Sequence, residues 1–495
     1  MQHPANPILR GLYPDPSICR VGETYYLATS TFEYLPGIPI HSSTDLVHWE
    51  LVGHALHDPA QFDFAAVPDS RGIFAPTIRH HDGLFYVACT LMDGGAVSGN
   101  FYLTAADPAG PWSAPVMLPD ARGIDPSLFF HEGRAWWIGC REVAEQSFEG
   151  ETEVWMRELD LERGALVGRE TVIWTRTMYR AVWAEAPHLY ERDGWFYLMT
   201  AEGGTAFEHS VMIARSRELA GPYLPCPRNP VLTHRHLGHG VPVQNVGHAD
   251  LVQGHDGSWW MVALATRPIA GHHILGRETH LARVEWENGW PVVNPGRGVL
   301  DAPVPRAGHW ESAGVPSAAD FLSVRGFSTF AEPAEAGLLL RSTGSSLESE
   351  APPAALLRRL GSTDSTVTVT LAELAPGSTA GLVLRQGSHA HVRLEIAASV
   401  DGVRARLIAR PGEGSDSAGI PIGAGTVVLA ARVSADGVAW TVAAGTEPAV
   451  ELGSTALGVL STETAGGFVG TTFGPYVSGQ AGSSVLFTAW SQDER

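Results

Sequence analysis

Five copies of one short pattern, spread over the first 300 residues, constrain this chain more than any other feature of it. They are Asp15-Pro16-Ser17-Ile18, Ala75-Pro76-Thr77-Ile78, Asp125-Pro126-Ser127-Leu128, Ala186-Pro187-His188-Leu189 and Ala249-Asp250-Leu251-Val252. Each opens a short apolar run, meets a turn such as Asp82-Gly83, Glu132-Gly133 or Asp193-Gly194, and continues into an aromatic pair such as Phe85-Tyr86, Trp136-Trp137 or Phe196-Tyr197. A tight turn between two such runs predicts a β-hairpin. The copies start 60, 50, 61 and 63 residues apart, room for a four-stranded sheet with its loops, and radial repetition of such sheets builds a β-propeller. The expected fold of residues 1–305 is therefore a five-bladed propeller.

In a propeller the first strand of each blade lines the central channel, so the residues just before each repeat's proline should meet at one mouth. Those positions are Asp15, Ala75, Asp125, Ala186 and Ala249, and one residue earlier stand Glu185 in the fourth copy and His248 in the fifth. Three carboxylates and a histidine are thus expected to face one axis. Like charges crowded in a partly dry cleft raise at least one pKa and cost stability, which favours a catalytic reading. Singly, Asp15 and Asp125 also read as ordinary Asp-Pro turns; Glu185 in register with them tips the balance. Two carboxyl groups flanking a bond are the machinery of glycoside hydrolysis: one protonates the leaving oxygen, the other activates water or attacks the anomeric carbon. Phe32, Phe74 and Trp183 have the chemistry to stack on a sugar ring, as well as the bulk to serve simply as core.

Composition removes several other classes. With 33 basic against 53 acidic residues the formal charge is −20, so a nucleic-acid face would work against the overall field. No run of about 18 apolar residues suggests a membrane span, and the start of the chain as given lacks the basic and apolar segments of a secretory signal; a cytoplasmic protein without membrane contact is expected. Cys19, Cys89, Cys140 and Cys226 are far apart, which predicts reduced, buried thiols. His234, His236 and His239 fit a Gly-rich loop better than a zinc site. Neither a Gly-x-Ser-x-Gly elbow nor a phosphate-binding P-loop is present.

Twelve of the fifteen tryptophans precede residue 300, and the later chain is rich in Ala, Gly, Ser, Thr and Val, so a second, differently built domain is expected after a proline-containing linker at 306–317. Alternation in Thr366–Leu371 and His391–Ile396 reads as strands with one buried face, and Asp436-Gly437 as a hairpin turn. Many short strands with almost no helical periodicity predict an all-β chain whose residues 318–495 form a jelly-roll-like β-sandwich.

Longer strings carry a family resemblance. Asn6-Pro7-Ile8-Leu9 through Tyr13-Pro14-Asp15-Pro16-Ser17, Thr29-Ser30-Thr31-Phe32-Glu33-Tyr34, Ile124-Asp125-Pro126-Ser127-Leu128-Phe129, Glu185-Ala186-Pro187-His188-Leu189-Tyr190, Gly247-His248-Ala249-Asp250-Leu251 and Leu275-Gly276-Arg277-Glu278-Thr279 together resemble glycoside hydrolase family 43, in its β-xylosidase group. The resemblance implies a propeller followed by a sandwich, and an inverting enzyme that needs no cofactor and removes one sugar from a non-reducing end. It implies Asp15 as general base, Glu185 as general acid, and Asp125 as the carboxylate that orients Glu185 and adjusts its pKa. An inverting pair should stand roughly 6.5–9.5 Å apart.

By the same resemblance Arg277 should hold sugar hydroxyls, Phe32 and Phe74 should wall the pocket, and Ala75 should leave room for the ring. His248 is implied either to hydrogen-bond near the carboxylates or to help hold a hydrated cation such as calcium. Phe74 stands where the family has tryptophan and Ala186 where it has glycine. The sandwich of relatives can lend an aromatic ring to the pocket; Phe468 and Phe473 are the candidates, beside an altered Glu463-Thr464-Ala465. Expected substrates are β-1,4-xylo-oligosaccharides, with α-L-arabinofuranosides as the near alternative because the two sugars can present similar hydroxyls. A homo-oligomer is an implied partner. A non-catalytic sugar-binding propeller is the reading from another class.

Overall fold

A computed structural model describes residues 5–93, 98–304, 306–312, 321–372, 374–410 and 417–495. Five antiparallel four-stranded sheets follow one another between Ser17 and Val293, with first strands Ser17–Val21, Gly72–His81, Ile124–His131, Glu185–Arg192 and Gln244–Gln253. The five first strands neighbour one another around an axis. This is the five-bladed propeller the repeat predicts. The repeat turns form as expected: Asp82 and Gly83, Glu132 and Gly133, and Asp193 and Gly194 all have positive φ, the geometry of a two-residue turn that matches strand twist.

Aromatic second strands fill the gaps between blades. Trp137 and Trp155 of the third blade pack with Tyr86 and Tyr102 of the second, and Tyr197 and Met199 of the fourth with Met261 and Ala263 of the fifth. The ring closes through the N-terminal segment. Ile8 N donates to Thr279 O at 2.9 Å, and the Asn6 side chain bonds both the backbone O and N of Leu281, at 2.9 and 2.8 Å.

The sandwich packs an eight-stranded sheet on a seven-stranded one, among the described residues, around a core that includes Trp440, Phe473 and Trp490. Ser365–Leu371 alternates buried and half-buried residues as its sequence suggests. The strand over Ala390–Ser399 does not: seven consecutive residues from Ala390 are buried, and on its polar side His391 and Arg393 meet Glu348 while Glu395 accepts from Arg406 and the Tyr476 hydroxyl, all within the sandwich. The expected hairpin forms one residue early, with Ser434 paired to Gly437 and Ala435-Asp436 at the tip. Gly308–Glu311, inside the segment read as linker, pairs with the last strand, Ser484–Glu494. Positions 313–320, the end of that linker and the start of the expected sandwich domain, lie outside the described residues.

Candidate active site

The repeat's proline marks a break in strand pairing. Phe74 faces Thr90 while Thr77 faces Ala88, Ile124 faces Cys140 while Ser127 faces Ile138, and Glu185 faces Ala201 while His188 faces Met199. Each slip seats an extra residue on the inner strand, a β-bulge, and proline fits there because it has no N–H to offer the ladder. The residue before it is left-handed: φ is 25° at Ala75, 53° at Asp125 and 51° at Ala186. Asp15 (54°) and His248 (41°) hold the same place in blades one and five.

The fifth copy therefore reads one residue differently from its sequence. Gly247 faces Leu264 and Ala249 faces Ala263, leaving His248 as the bulged residue. His248, not Ala249, is the equivalent of Asp15 and Asp125, because blade five lacks the proline that sets the register elsewhere. Non-glycine residues in this region cost of order 1–3 kcal/mol each. Here the conformation turns side chains off the pleat toward the channel mouth.

Asp15, Asp125 and Glu185 line one cavity there, with Phe32, Phe74, Ala75, His248 and Arg277. The cavity is small, about 80 Å³, and open at its mouth. Asp15 is fixed from several sides: Ser30 Oγ donates to its Oδ2 at 2.6 Å, Arg277 Nη1 to its Oδ1 at 3.0 Å, and His248 Nδ1 lies 3.5 Å from Oδ1. Asp125 Oδ2 accepts from the backbone N of Ala186 at 3.1 Å, which pins the residue beside Glu185.

These surroundings pull the three carboxyls apart in pKa. Burial works against the ionised Asp15, but Arg277, His248 and the Ser30 hydroxyl outweigh it, and Asp15 is held below the usual range. Asp125 is pushed up to about 6 by burial, with His248 opposing and Asp15 adding to the rise. Burial pushes Glu185 well above the ordinary carboxyl range, and the negative charges of Asp125 and Asp15 act in the same direction. One cavity thus holds one carboxyl whose surroundings favour the ionised form and another whose surroundings favour the protonated form, the division of labour acid–base chemistry needs.

Arg277 sits between charge and ring. Its Nη1 also donates to Thr205 Oγ1 at 3.0 Å, its Nε donates to Phe468 O at 3.3 Å, and its Nη2 is buried with no partner among the described residues. The guanidinium lies 5.4 Å from the ring centres of both Phe32 and Phe468, close enough for cation–π attraction. Phe32, Phe74 and Phe468 touch one another with ring centres 5.3–6.0 Å apart. Of the two sandwich candidates, Phe468 reaches the cavity and Phe473 lies in the sandwich core. Trp183 is not in the cavity lining; it packs against Gly150 and Gly204.

Ser30, Thr205 and His209 belong to the site and were not singled out by sequence. His209 Nδ1 meets Asn245 O at 3.0 Å, and burial lowers its pKa to about 3. Its ring lies so close to Gly247 that a Cβ there would stand 2.3 Å from it, a physical reason for glycine beside His248. Only the histidine itself, two residues before a strand-like Val211-Met212-Ile213 run, could have signalled this in sequence.

The calcium expectation at His248 finds little support in the donor set. Calcium takes six to eight oxygen ligands, and beside this imidazole stands one Asp15 carboxylate already engaged by Ser30 and Arg277. No group of three or more His, Cys, Asp or Glu among the described residues is placed to hold a metal ion. His234, in the histidine-rich loop, instead bonds the backbone of Val243 and Leu300. All four cysteines are free and buried.

Comparison with known proteins gives a consistent answer. The family model "Beta xylosidase C-terminal Concanavalin A-like domain" matches residues 320–489. A protein named xylosidase/arabinosidase from Butyrivibrio fibrisolvens is 52% identical over 299 residues, 60% of this chain and 57% of its own length. A non-reducing end alpha-L-arabinofuranosidase of Bacteroides ovatus is 45% identical over 291 residues, 58% of this chain and 53% of its own. The chain thus spans little more than half the length of these curated relatives. The crystal structure of a xylan beta-1,4-xylosidase from Bacillus halodurans superposes with a TM-score of 0.90 at 29% identity, covering 99% of this chain and 100% of that one. The model for glycosyl hydrolases family 43 matches residues 4–291, more than half of the sequence, and this chain belongs to that family.

Proposed function

We propose that the protein is an exo-acting glycoside hydrolase that releases xylose from the non-reducing end of β-1,4-xylo-oligosaccharides with inversion. One observation carries the reading: Asp15, whose surroundings favour the ionised form, and Glu185, whose burial favours the protonated form, line a single cavity. In this mechanism Asp15 takes a proton from water as the water oxygen bonds to the anomeric carbon. The glycosidic C–O bond breaks as Glu185 gives its proton to the leaving oxygen. The step ends with Asp15 protonated, Glu185 ionised and the sugar as the α-anomer; exchange with solvent restores both groups. Asp125 keeps Glu185 protonated by its charge and steadies it through Ala186.

Arg277 has an unused Nη2 to give to sugar hydroxyls, a role that a guanidinium fork fills better than an ammonium. Phe32, Phe74 and Phe468 supply the apolar wall, and small Ala75 leaves space for the ring. A second cavity, sharing Thr205, Arg277 and Phe468 with the first, extends toward Phe207 and His239 and gives the leaving unit a place outside the sugar pocket. The family resemblance adds homo-oligomerisation, which light scattering measures. Four free, buried cysteines fit a cytoplasmic location; finding the protein in culture medium would contradict it.

The test is proton NMR of xylobiose hydrolysis before mutarotation. α-Xylose appearing first supports the reading, β-xylose contradicts inversion, and no hydrolysis leaves only a sugar-binding propeller. A second reading, α-L-arabinofuranosidase activity alone or in addition, is favoured by the names of the two curated relatives. Paired kcat/KM values on nitrophenyl xyloside and arabinofuranoside separate the two.

A further inference from the structure

A buried ion network crosses from the propeller to the sandwich beside the pocket. Arg385, on the sandwich strand Thr379–Gly387, is fully buried. Its Nη1 donates to Glu33 Oε1 at 3.3 Å and to the Tyr34 hydroxyl at 2.8 Å, and its Nη2 to Asp69 Oδ1 at 2.8 Å. Asp69 Oδ1 also accepts from Arg325 Nη2, while its Oδ2 accepts from Ser388 N and Ser388 Oγ, both at 2.6 Å. Two carboxylates from propeller loops thereby meet two guanidinium groups from beyond the propeller. Taking such charges out of water costs several kcal/mol per ion, and apolar packing often serves stability as well. The arrangement calls for a role besides cohesion.

Both carboxylates are joined to the pocket wall. Glu33 follows Phe32 directly, and its Oε2 accepts from Ser70 N at 3.0 Å; Asp69 directly precedes Ser70. Ser70 Oγ accepts from Phe468 N at 3.1 Å, and Phe468 O accepts from Arg277 Nε, the same guanidinium that holds Asp15. Ser70 (φ 59°) and Phe32 (φ 53°) are left-handed, conformations that persist only where the surroundings impose them. A Cβ on Gly467 would stand 2.1 Å from Ser70 Oγ, so glycine lets the Phe468 segment approach this closely.

We infer that Arg385 is a positioning residue for the active site: by fixing Glu33 and Asp69 it sets Ser70, and through Ser70 it holds Phe468 and Phe32 as walls of the sugar pocket. Arg385 itself touches no reacting group. This rests on the proposed reading of the cavity as a sugar site, so its test includes a measurement that does not need catalysis.

The full chain is compared with Arg385→Met, Asp69→Asn, Phe468→Ala and the Arg385→Met/Phe468→Ala pair. Readouts are KM and kcat on whichever nitrophenyl glycoside the wild type cleaves, and hydrogen exchange of the peptide containing Phe468. Arg385→Met should raise KM about tenfold with kcat changed less than about threefold, speed exchange at Phe468 about tenfold, and add less than about twofold to the effect of Phe468→Ala. Asp69→Asn, which keeps the side-chain shape, should move KM and exchange the same way by a smaller factor, and it decides the matter should Arg385→Met not fold. Unchanged exchange at Phe468, or effects of Arg385→Met and Phe468→Ala that multiply, would overturn the inference. If the wild type hydrolyses neither glycoside, the hydrolase reading fails while the exchange data still decide the positioning role.

Discussion

Propeller and sandwich are both antiparallel β-structures, yet they supply the pocket in different ways. The propeller brings charge: Asp15, Asp125 and His248 occupy one repeated, left-handed place, and Glu185 precedes another, Ala186. The sandwich brings one apolar ring. Phe468 stands in an irregular stretch between the short helix Thr462–Ala465 and the strand Thr472–Ser478. Rotational repetition converts equal offsets in sequence into convergence in space, whereas a stacked pair of sheets contributes whatever one connecting segment happens to reach. The comparison separates chemistry, carried by the repeat, from shape, carried partly by the non-repeating half.

Substitutions can break that division, beginning with the largest effect. Asp15→Asn should lower kcat about 10³-fold while sugar binding, measured by calorimetry, survives, since base catalysis contributes about 10²–10⁴. Asp125→Asn should lower kcat about 10²-fold and remove a negative neighbour from Glu185, so the alkaline limb of the kcat/KM profile should move to lower pH. Asp125 also has a stability signature. Its folded pKa of about 6 lies above the unfolded value, so the folded state holds more protons between about pH 4 and 6 and stability falls as pH rises through that window, by an amount on the order of 2 kcal/mol. Urea unfolding at pH 4 and pH 7 should show that fall in the wild type and a smaller one in Asp125→Asn.

On the sandwich side, Phe468→Ala should raise KM about tenfold with a smaller change in kcat, the mirror image of Asp15→Asn in steady-state kinetics. The smallest effect sharpens the comparison at the bulge itself. Ala186 is left-handed (φ 51°), a region where glycine meets no steric cost, so Ala186→Gly should be neutral or stabilising by up to about 1 kcal/mol in thermal unfolding.

The sequence made the propeller legible because its turn and bulge residues recur, and the charged mouth followed from the register of Asp15, Asp125 and Glu185. Register failed in the fifth copy, where no proline follows His248 and the pattern could be laid down one residue off. Ser30, Thr205 and His209 were not visible because they sit in loops with no repeated marker; the first hairpin of blade one carries Ser30 to Asp15, and the circular order of the blades brings Thr205 and His209 to the same mouth. In the sandwich, alternation identified Thr366–Leu371 correctly but could not show that the polar side of His391–Ile396 is covered, since Glu348, Arg406 and Tyr476 reach it from positions remote in sequence. Phe468 could be shortlisted beside Phe473 but not chosen, as both are single aromatics near glycines.

The segment from Asn6 to Tyr13 clasps the last blade, with Ile8 on Thr279, Asn6 on Leu281 and Tyr13 N on Arg277 O, and Asp15 follows two residues later. The proposed base is therefore carried on the fastener that shuts the ring, and its guanidinium partner lies on the strand being fastened. On the proposed reading a half-made or pried-open molecule has no working site, so hydrolysis, once measured, would itself report that the circle is complete.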